Sequence, residues 1–293
     1  MQLSLFPELV KVREKKHVVN VASVPQRSPF RYPGGKTWLV PVARQWFRQA
    51  DALSELIEPF AGGGIISLTA AAEHFFNRVT MSELDDDMAA AWFTIFSDKD
   101  CEWLIDKIID FDVTVENIDE ALEESCKGIK ERAFATIVRN RTNHGGILAC
   151  GAGKIKTGEC GKGLSSRWYP NTLAKRILEA NSLRDIIDFV QEDAFSILDK
   201  RKDDKNAFFF IDPPYTIAGR RLYNLHKIDH QKLFEIVFGL KGKFLMTYDD
   251  TEEIRRLSEK YNLKYRSIPM QTTHLITKEE LLISNDFEWM ICK

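Results

Sequence analysis

Cysteine is scarce and unpaired in this 293-residue chain: Cys101, Cys126, Cys150, Cys160 and Cys292 form an odd set of five with no CxxC spacing. A disulfide framework and a cysteine-ligated structural zinc site are therefore disfavoured, and a reducing, cytoplasmic setting is expected. Long apolar runs are missing too. None reaches the ~18 residues of a membrane helix, and the N-terminal MQLSLFPELVKVREKK has too short an apolar stretch for a secretory signal. No membrane association is expected. Internal repeats and low-complexity tracts are also absent. What remains is 44% apolar and 29% charged residues, enough for a packed core and enough to exclude global disorder.

A net charge of -2 conceals a strong asymmetry. Residues 82–124 hold fifteen acidic residues and two lysines, whereas residues 127–167 hold nine Lys or Arg and two Glu. That basic stretch also carries eight of the sixteen glycines, a composition suited to a loop or hairpin that follows a phosphate backbone. An ordinary solvated hairpin fits the same charge count. Residues 9–48 are basic as well, with nine Lys or Arg. Basic regions on both sides of an acidic one point to a polyanion site on one side of the molecule.

Along the chain, residues 1–28 lack periodicity and read as an extended arm. LSELIEPF (53–60) reads as a buried strand, IISLTAAAEHFF (65–76) as a helix, and RVTMSEL (78–84) as a strand ending in acid. Strand, glycine turn, helix, strand and acid form a βαβ unit. A mostly helical insertion is expected from DMAAAWFTIF through 119–140, followed by a basic Gly-rich hairpin at 141–163 and a helix at 173–186. Strands are expected in DFVQEDAF, in NAFFFIDPPY, at 243–250 and at 279–286. The fold class is therefore α/β.

Four constellations carry chemistry. EPFAGGG (58–64) puts Gly62 and Gly64 after a strand, where backbone can approach a ligand at a helix N-terminus. Alone, it equally describes a tight strand–helix turn. Glu83, ending the next strand, can accept from both hydroxyls of a ribose. FRYPGGKT (30–37) is not an ATP-binding P-loop, because Phe30 stands where the first glycine is required. It is a bend that presents Tyr32 and Lys36, an apolar face and a cation for a carboxylate. Asp193, in VQEDAF, can accept from an adenine amino group with Phe195 as an apolar wall.

FFFIDPPYT (208–216) is the strongest of the four. An apolar strand delivers Asp212, Pro213, Pro214 and Tyr215 at its carboxyl end, where α/β sheets bind ligands. An exocyclic nucleobase amine is a poor nucleophile, since its lone pair is conjugated into the ring. Acceptors at its two N–H groups favour the more tetrahedral nitrogen of a methyl-transfer transition state. The Asp212 carboxylate and the Pro213 carbonyl supply them. The two prolines fix the turn and add no competing donor, and Tyr215 can stack on the base.

These residues, in this order, resemble the Dam-type (α-group) DNA adenine N6-methyltransferases that use S-adenosylmethionine, over roughly residues 29–286. The resemblance implies a Rossmann-like class I methyltransferase sheet. Its catalytic domain would comprise 29–92 and 169–293, and a target-recognition insertion of helices and hairpin would occupy 93–168. It implies cofactor contacts from Tyr32, Lys36 (near the cofactor carboxylate), Phe60, Gly62, Gly64, Glu83, Asp193 and Phe195, and target-base contacts from Asp212 to Tyr215. DNA contacts would come from Arg31, Arg139, Asn140, Arg141 and Asn143, the last four on or beside the hairpin. DHQKL (229–233), TYDD (247–250) and ELLISN (280–285) also look family-like.

The implied activity is site-specific transfer of a methyl group to adenine N6 in double-stranded DNA, without a metal. A cognate restriction endonuclease as partner is left open. So are two other readings: methylation of cytosine N4, whose pocket logic is the same, and a non-catalytic nucleic-acid-binding protein on the same fold. A nicotinamide-dependent oxidoreductase would share the βαβ unit and Glu83, but it leaves DPPY and the basic segment unexplained.

Overall fold

The computed structural model describes residues 23–31, 34–149, 151–158, 161–215, 228–271 and 277–290. Most of the expected N-terminal arm, together with Tyr32, lies outside these residues. The described end of the arm is anchored: Val24 is buried, and the Ser28 hydroxyl donates to the Gly63 carbonyl at 2.5 Å.

Five short apolar runs pair in parallel: β1 (Glu55–Glu58), β2 (Arg78–Ser82), β3 (Ile187–Val190), β4 (Ala207–Ile211) and β5 (Lys243–Asp249). Helices cover both faces of this sheet, so most central strand residues are apolar. Two further strands, β6 (Lys264–Gln271) and β7 (Thr277–Ser284), complete a seven-stranded sheet in the order β3-β2-β1-β4-β5-β7-β6, with β7 antiparallel to both neighbours. This is the expected α/β, Rossmann-like sheet. The β6 strand was not anticipated. Its sequence, KYRSIPMQ, lacks regular alternation and contains Pro269, which is tolerated because β6 is an edge strand.

Side chains alternate along the strands and build two cores. Leu56, Phe208, Phe210 and Leu245 belong to one cluster; Ile57, Phe209, Ile211 and Met246 belong to the other. The first packs under α1 (Val40–Phe47), α2 (Ile65–Ala72), α3 (Asp86–Phe96), α4 (Asp98–Asp110), α5 (Val115–Glu124), α6 (Ile129–Thr142) and α7 (Pro170–Asn181). The second packs under α8 (Ala194–Arg201), α9 (His230–Gly239) and α10 (Glu252–Lys260). Helices α1, α8, α9 and α10 were not anticipated either.

The expected helical insertion is present as α3 to α6, but the expected hairpin at 141–163 is not formed. Residues 141 and 142 end α6, and a single bridge joins Asn143 to Lys154. Two short 3-10 turns, His144–Gly146 and Gly163–Arg167, account for much of the rest. The glycines explain the departure. Six of them in this stretch, from Gly145 to Gly163, have positive φ, which breaks strand geometry repeatedly.

Candidate active site

Strand order reverses between β1 and β4: β2 and β3 extend the sheet to one side of β1, β5 to the other side of β4. Ligand crevices form at such switch points, outside the carboxyl ends of the strands. There β1 ends at Glu58 and runs into Pro59–Gly64, while β4 ends at Ile211 and runs into Asp212. Two segments some 150 positions apart in sequence therefore emerge side by side. Between them opens a cleft of about 1060 Å³, lined by Lys36, Phe60, Gly62, Gly64, Glu83, Asp193, Phe195, Asp212 and Pro214 among others. Tyr215 stands behind this lining.

The glycine turn is held by its neighbours. Ala61 N–H donates to the Ser82 carbonyl at 2.9 Å, and Trp92 Nε1 donates to the Gly62 carbonyl at 2.9 Å. Gly64 opens α2 with φ +64°, and a Cβ there would meet Met81 Cε at 2.7 Å and the Trp92 ring at 2.9 Å. The Glu83 carboxyl accepts from the Gly62, Leu84 and Asp85 N–H groups at 3.0, 2.9 and 3.1 Å. It thus ties the end of β2 to the glycine turn, and its burial raises its pKa. Asp193 caps α8, accepting from Ser196 N–H at 3.1 Å. Phe195, two residues on, lines the same cleft, with the Lys232 ammonium 5.5 Å from its ring centre.

The motif after β4 is set in a buried charge cluster. Ile211 pairs with Met246, which brings Thr247 level with Asp212. The Thr247 hydroxyl donates to Asp212 Oδ1 at 2.5 Å, and Lys36 Nζ lies 2.9 Å from Asp212 Oδ2. Lys36 is only 4% exposed; its ammonium also donates to the Gly34 carbonyl at 2.7 Å. Sequence reasoning aimed Lys36 at a cofactor carboxylate; the structure places it on the motif aspartate instead. Burial pulls its pKa down, but Asp212 and Glu280 outweigh burial and leave it raised. Glu58 completes the cluster. It takes both the N–H and the hydroxyl of Ser67 on Oε2, and burial pushes it up to about 8, so it is largely protonated at neutral pH.

Tyr215 was expected to stack on a base. Its ring stacks on Tyr248, with centres 5.9 Å apart and planes at 26°, and its hydroxyl donates to Glu280 Oε2 at 3.0 Å. The residues that sequence reasoning missed are Glu58, Thr247, Tyr248 and Glu280. They lie inside or beside strings already singled out in the sequence, EPFAGGG, TYDD and ELLISN, but only the fold brings them together.

The expected DNA contacts need correction. Asn140 is 1% exposed and clamps two segments, accepting from Arg31 N–H at 2.9 Å and donating to the Arg31 and Gly146 carbonyls at 3.0 and 2.9 Å. Arg141 is buried and donates to the Pro29 carbonyl. Asn143 donates to the Ile147 carbonyl at 2.8 Å, and Arg139 pairs with Asp87 at 2.5 Å. Three of the four therefore serve the fold, because α6 runs through the core rather than beside a hairpin. Arg31 does line the cleft, and so does Arg176, which was not foreseen. Burial depresses Arg141 to about 9, and the guanidinium charges of Arg176, Arg31 and Arg167 add to the effect.

Among the described residues no helix is long and apolar enough to cross a membrane. A family model described as D12 class N6 adenine-specific DNA methyltransferase matches residues 32–270 of the chain. No curated protein sequence matches it. Solved structures that align include an S-adenosylmethionine-dependent methyltransferase from Agrobacterium tumefaciens (11% identity, 85% of this chain and 60% of that one, TM-score 0.41). A precorrin 8w decarboxylase of Methanobacterium thermoautotrophicum aligns at 10% identity over 87% of this chain and 93% of its own, TM-score 0.37. A human methyltransferase 10 domain containing protein aligns at 11% identity over 85% and 80%, TM-score 0.36.

Proposed function

This chain belongs to the D12 class N6 adenine-specific DNA methyltransferase family, and we infer that the cleft between β1 and β4 is where it methylates adenine in DNA. The cofactor is S-adenosylmethionine, whose sulfonium supplies an electrophilic methyl group. The residues present fit it: a glycine turn with no room for a Cβ at Gly64, the Glu83 carboxyl at the next strand end, and Asp193 with Phe195 farther along the wall. Lys36 is assigned to Asp212 rather than to the cofactor, and Phe60 with Gly62 to the cofactor turn.

The observation that carries this reading is Asp212 facing the same cleft as Gly62 and Glu83. Asp212 acts as an oriented acceptor rather than as a strong base. Lys36 and Thr247 fix its two oxygens, and a carboxylate has lone pairs left for one more donor. It draws on one N–H of the target amine while the Pro213 carbonyl takes the other, and the nitrogen pyramidalises as it attacks the methyl carbon. A bound S-adenosylmethionine would supply the methyl group and keep the C–S electron pair on its sulfur, and the proton lost from N6 would pass to solvent water. An adenine inside a duplex cannot reach this cleft, so the target is extruded, at an unstacking cost of a few kcal/mol.

Incubation with methyl-labelled S-adenosylmethionine and unmethylated genomic DNA, followed by hydrolysis and mass spectrometry, should yield N6-methyladenine. Label in N4-methylcytosine, or none at all, would refute the reading. Long-read sequencing of the same DNA gives the target sequence. Site-specific modification is the chemistry that a restriction endonuclease of the same specificity requires of a partner, and a DNA substrate is consistent with a cytoplasmic setting.

Arg31 and Arg176 at the cleft rim, with Arg141 and Arg167 behind, support a phosphodiester path into the site. Replacing Arg31 and Arg176 by alanine should weaken DNA binding and lower its salt slope by about one or two, with cofactor affinity unchanged. An unaltered slope in a titration from low to high salt would move the DNA path elsewhere.

A further inference from the structure

One buried carboxyl group stands out as costly and unexplained by the cofactor turn or by the acceptor pair. Glu280 lies on β7, opposite Asp249 on β5 and Ile268 on β6, in the run Glu280-Leu281-Leu282-Ile283. It is 4% exposed, like the fully buried leucines that follow it. Desolvating a carboxyl group on such a strand costs several kcal/mol unless partners return it. Two partners are present. The Tyr215 hydroxyl donates to Oε2 at 3.0 Å, and Lys36 Nζ stands 4.0 Å from the same oxygen. Lys36 is in turn 2.9 Å from Asp212 and 5.0 Å from the centre of the Tyr215 ring. Glu280 therefore touches both ends of the four-residue motif, through the ammonium at Asp212 and through the phenol at Tyr215.

We propose that Glu280 is a positioning residue for methyl transfer: it anchors the Tyr215 hydroxyl, and so fixes the turn that aims the Asp212 and Pro213 acceptors at the target amine. The proposal rests on the reading of residues 212–215 as the target-base site. The physical argument is one of restraint. The ring of Tyr215 is backed on one side by Tyr248, whose own hydroxyl is held by His230 Nδ1 at 2.8 Å. A stack alone leaves a ring free to slide in its plane; a hydrogen bond at its tip removes that freedom. Acceptors must be held to within a fraction of an ångström for their transition-state preference to be realised, and a misplacement of ~1 Å can cost ~100-fold in rate. The ammonium of Lys36 contributes differently. It stands between the Asp212 and Glu280 carboxyls, and burial raises the pKa of Glu280, so the phenol needs an acceptor here rather than a charge. A neutral side chain with the same acceptor should therefore do the same work.

Three variants test this: Glu280→Ala, Glu280→Gln and Tyr215→Phe, each assayed for kcat on unmethylated genomic DNA and for S-adenosylmethionine binding by calorimetry. Glu280→Ala is expected to lower kcat by about 10- to 100-fold, with the cofactor dissociation constant within about threefold of the parent. Glu280→Gln, which keeps an acceptor for the phenol, should recover most of that loss. Tyr215→Phe removes the same bond from the other side and stands in if the alanine variant does not fold. Combining it with Glu280→Ala should cost no more than the worse single change, because both delete one interaction. The proposal is overturned if Glu280→Ala turns over within about threefold of the parent, if glutamine rescues nothing, or if the two losses multiply. Asp212→Ala runs alongside: near-parent turnover there would sink the reading of the site itself, whereas its inactivity beside a healthy Glu280→Ala would sink only this proposal.

Discussion

Asp212→Ala is expected to lower the rate of methyl transfer by about three orders of magnitude, the upper range for losing one preorganised transition-state contact. S-adenosylmethionine affinity should stay within a few-fold of the parent. The two effects separate because the carboxylate sits on β4, across the cleft from the glycine turn and Glu83. Removing it also leaves the Lys36 ammonium buried with Glu280 as its remaining close carboxyl partner. Some loss of stability is therefore expected, and Asp212→Asn is the companion variant, keeping shape and one acceptor. It should retain more activity than the alanine form. Single-turnover transfer of labelled methyl, with calorimetry for the cofactor, measures both quantities. A folded Asp212→Ala protein with near-parent turnover would remove the acceptor mechanism.

The second large effect belongs to Gly64→Ala. A left-handed φ of +64° costs a residue with a Cβ about 1–2 kcal/mol. The added carbon must also displace Met81 and the Trp92 ring, which it would approach to 2.7 and 2.9 Å. Overpacking of this kind costs about 1–3 kcal/mol. Met81 can swing aside, but Trp92 cannot: it is fully buried, and its indole N–H holds the Gly62 carbonyl. The melting temperature should fall by roughly 5–15 °C, and added S-adenosylmethionine should restore little of it, because the turn that receives the cofactor is the part displaced. A melting temperature within about one degree of the parent, with the usual upward shift on adding cofactor, would show that the turn tolerates the change.

The sequence was legible where one physical demand dominated. Phe208 to Ile211 had to be a strand buried on both faces, and DPPY had to leave it at the carboxyl end. EPFAGGG and Glu83 were legible for the same reason: a buried strand, a tight turn and an acid occur together in few other contexts. Legibility failed where two demands competed. In β6, KYRSIPMQ has no regular alternation and contains Pro269, and only the protection of the sheet edge makes a strand acceptable. Between 143 and 167, glycine and basic residues suggested a ribbon, but left-handed glycines fold the chain back on itself. Arg141 and Asn140 were read as DNA contacts because surface location is the default for such residues. Their burial follows from tertiary contacts to Pro29, Arg31 and Gly146 that no local pattern encodes. Glu280 escaped for a related reason: it follows Lys278 and Glu279 in the sequence, and nothing local distinguishes the buried acid from its neighbours.

Helices α3, α4, α6 and α7 share one apolar cluster with the sheet, and Leu148, in the segment after α6, is buried in that same cluster. The segment is tied further by the Asn143–Lys154 bridge, by Asn140 to the Gly146 carbonyl and by Lys154 to Asp119. A graft cut at the strands would tear through Trp92 and Ile177, and one confined to the segment after α6 would leave the scaffold intact only if it kept Leu148 and the Asn140 clamp.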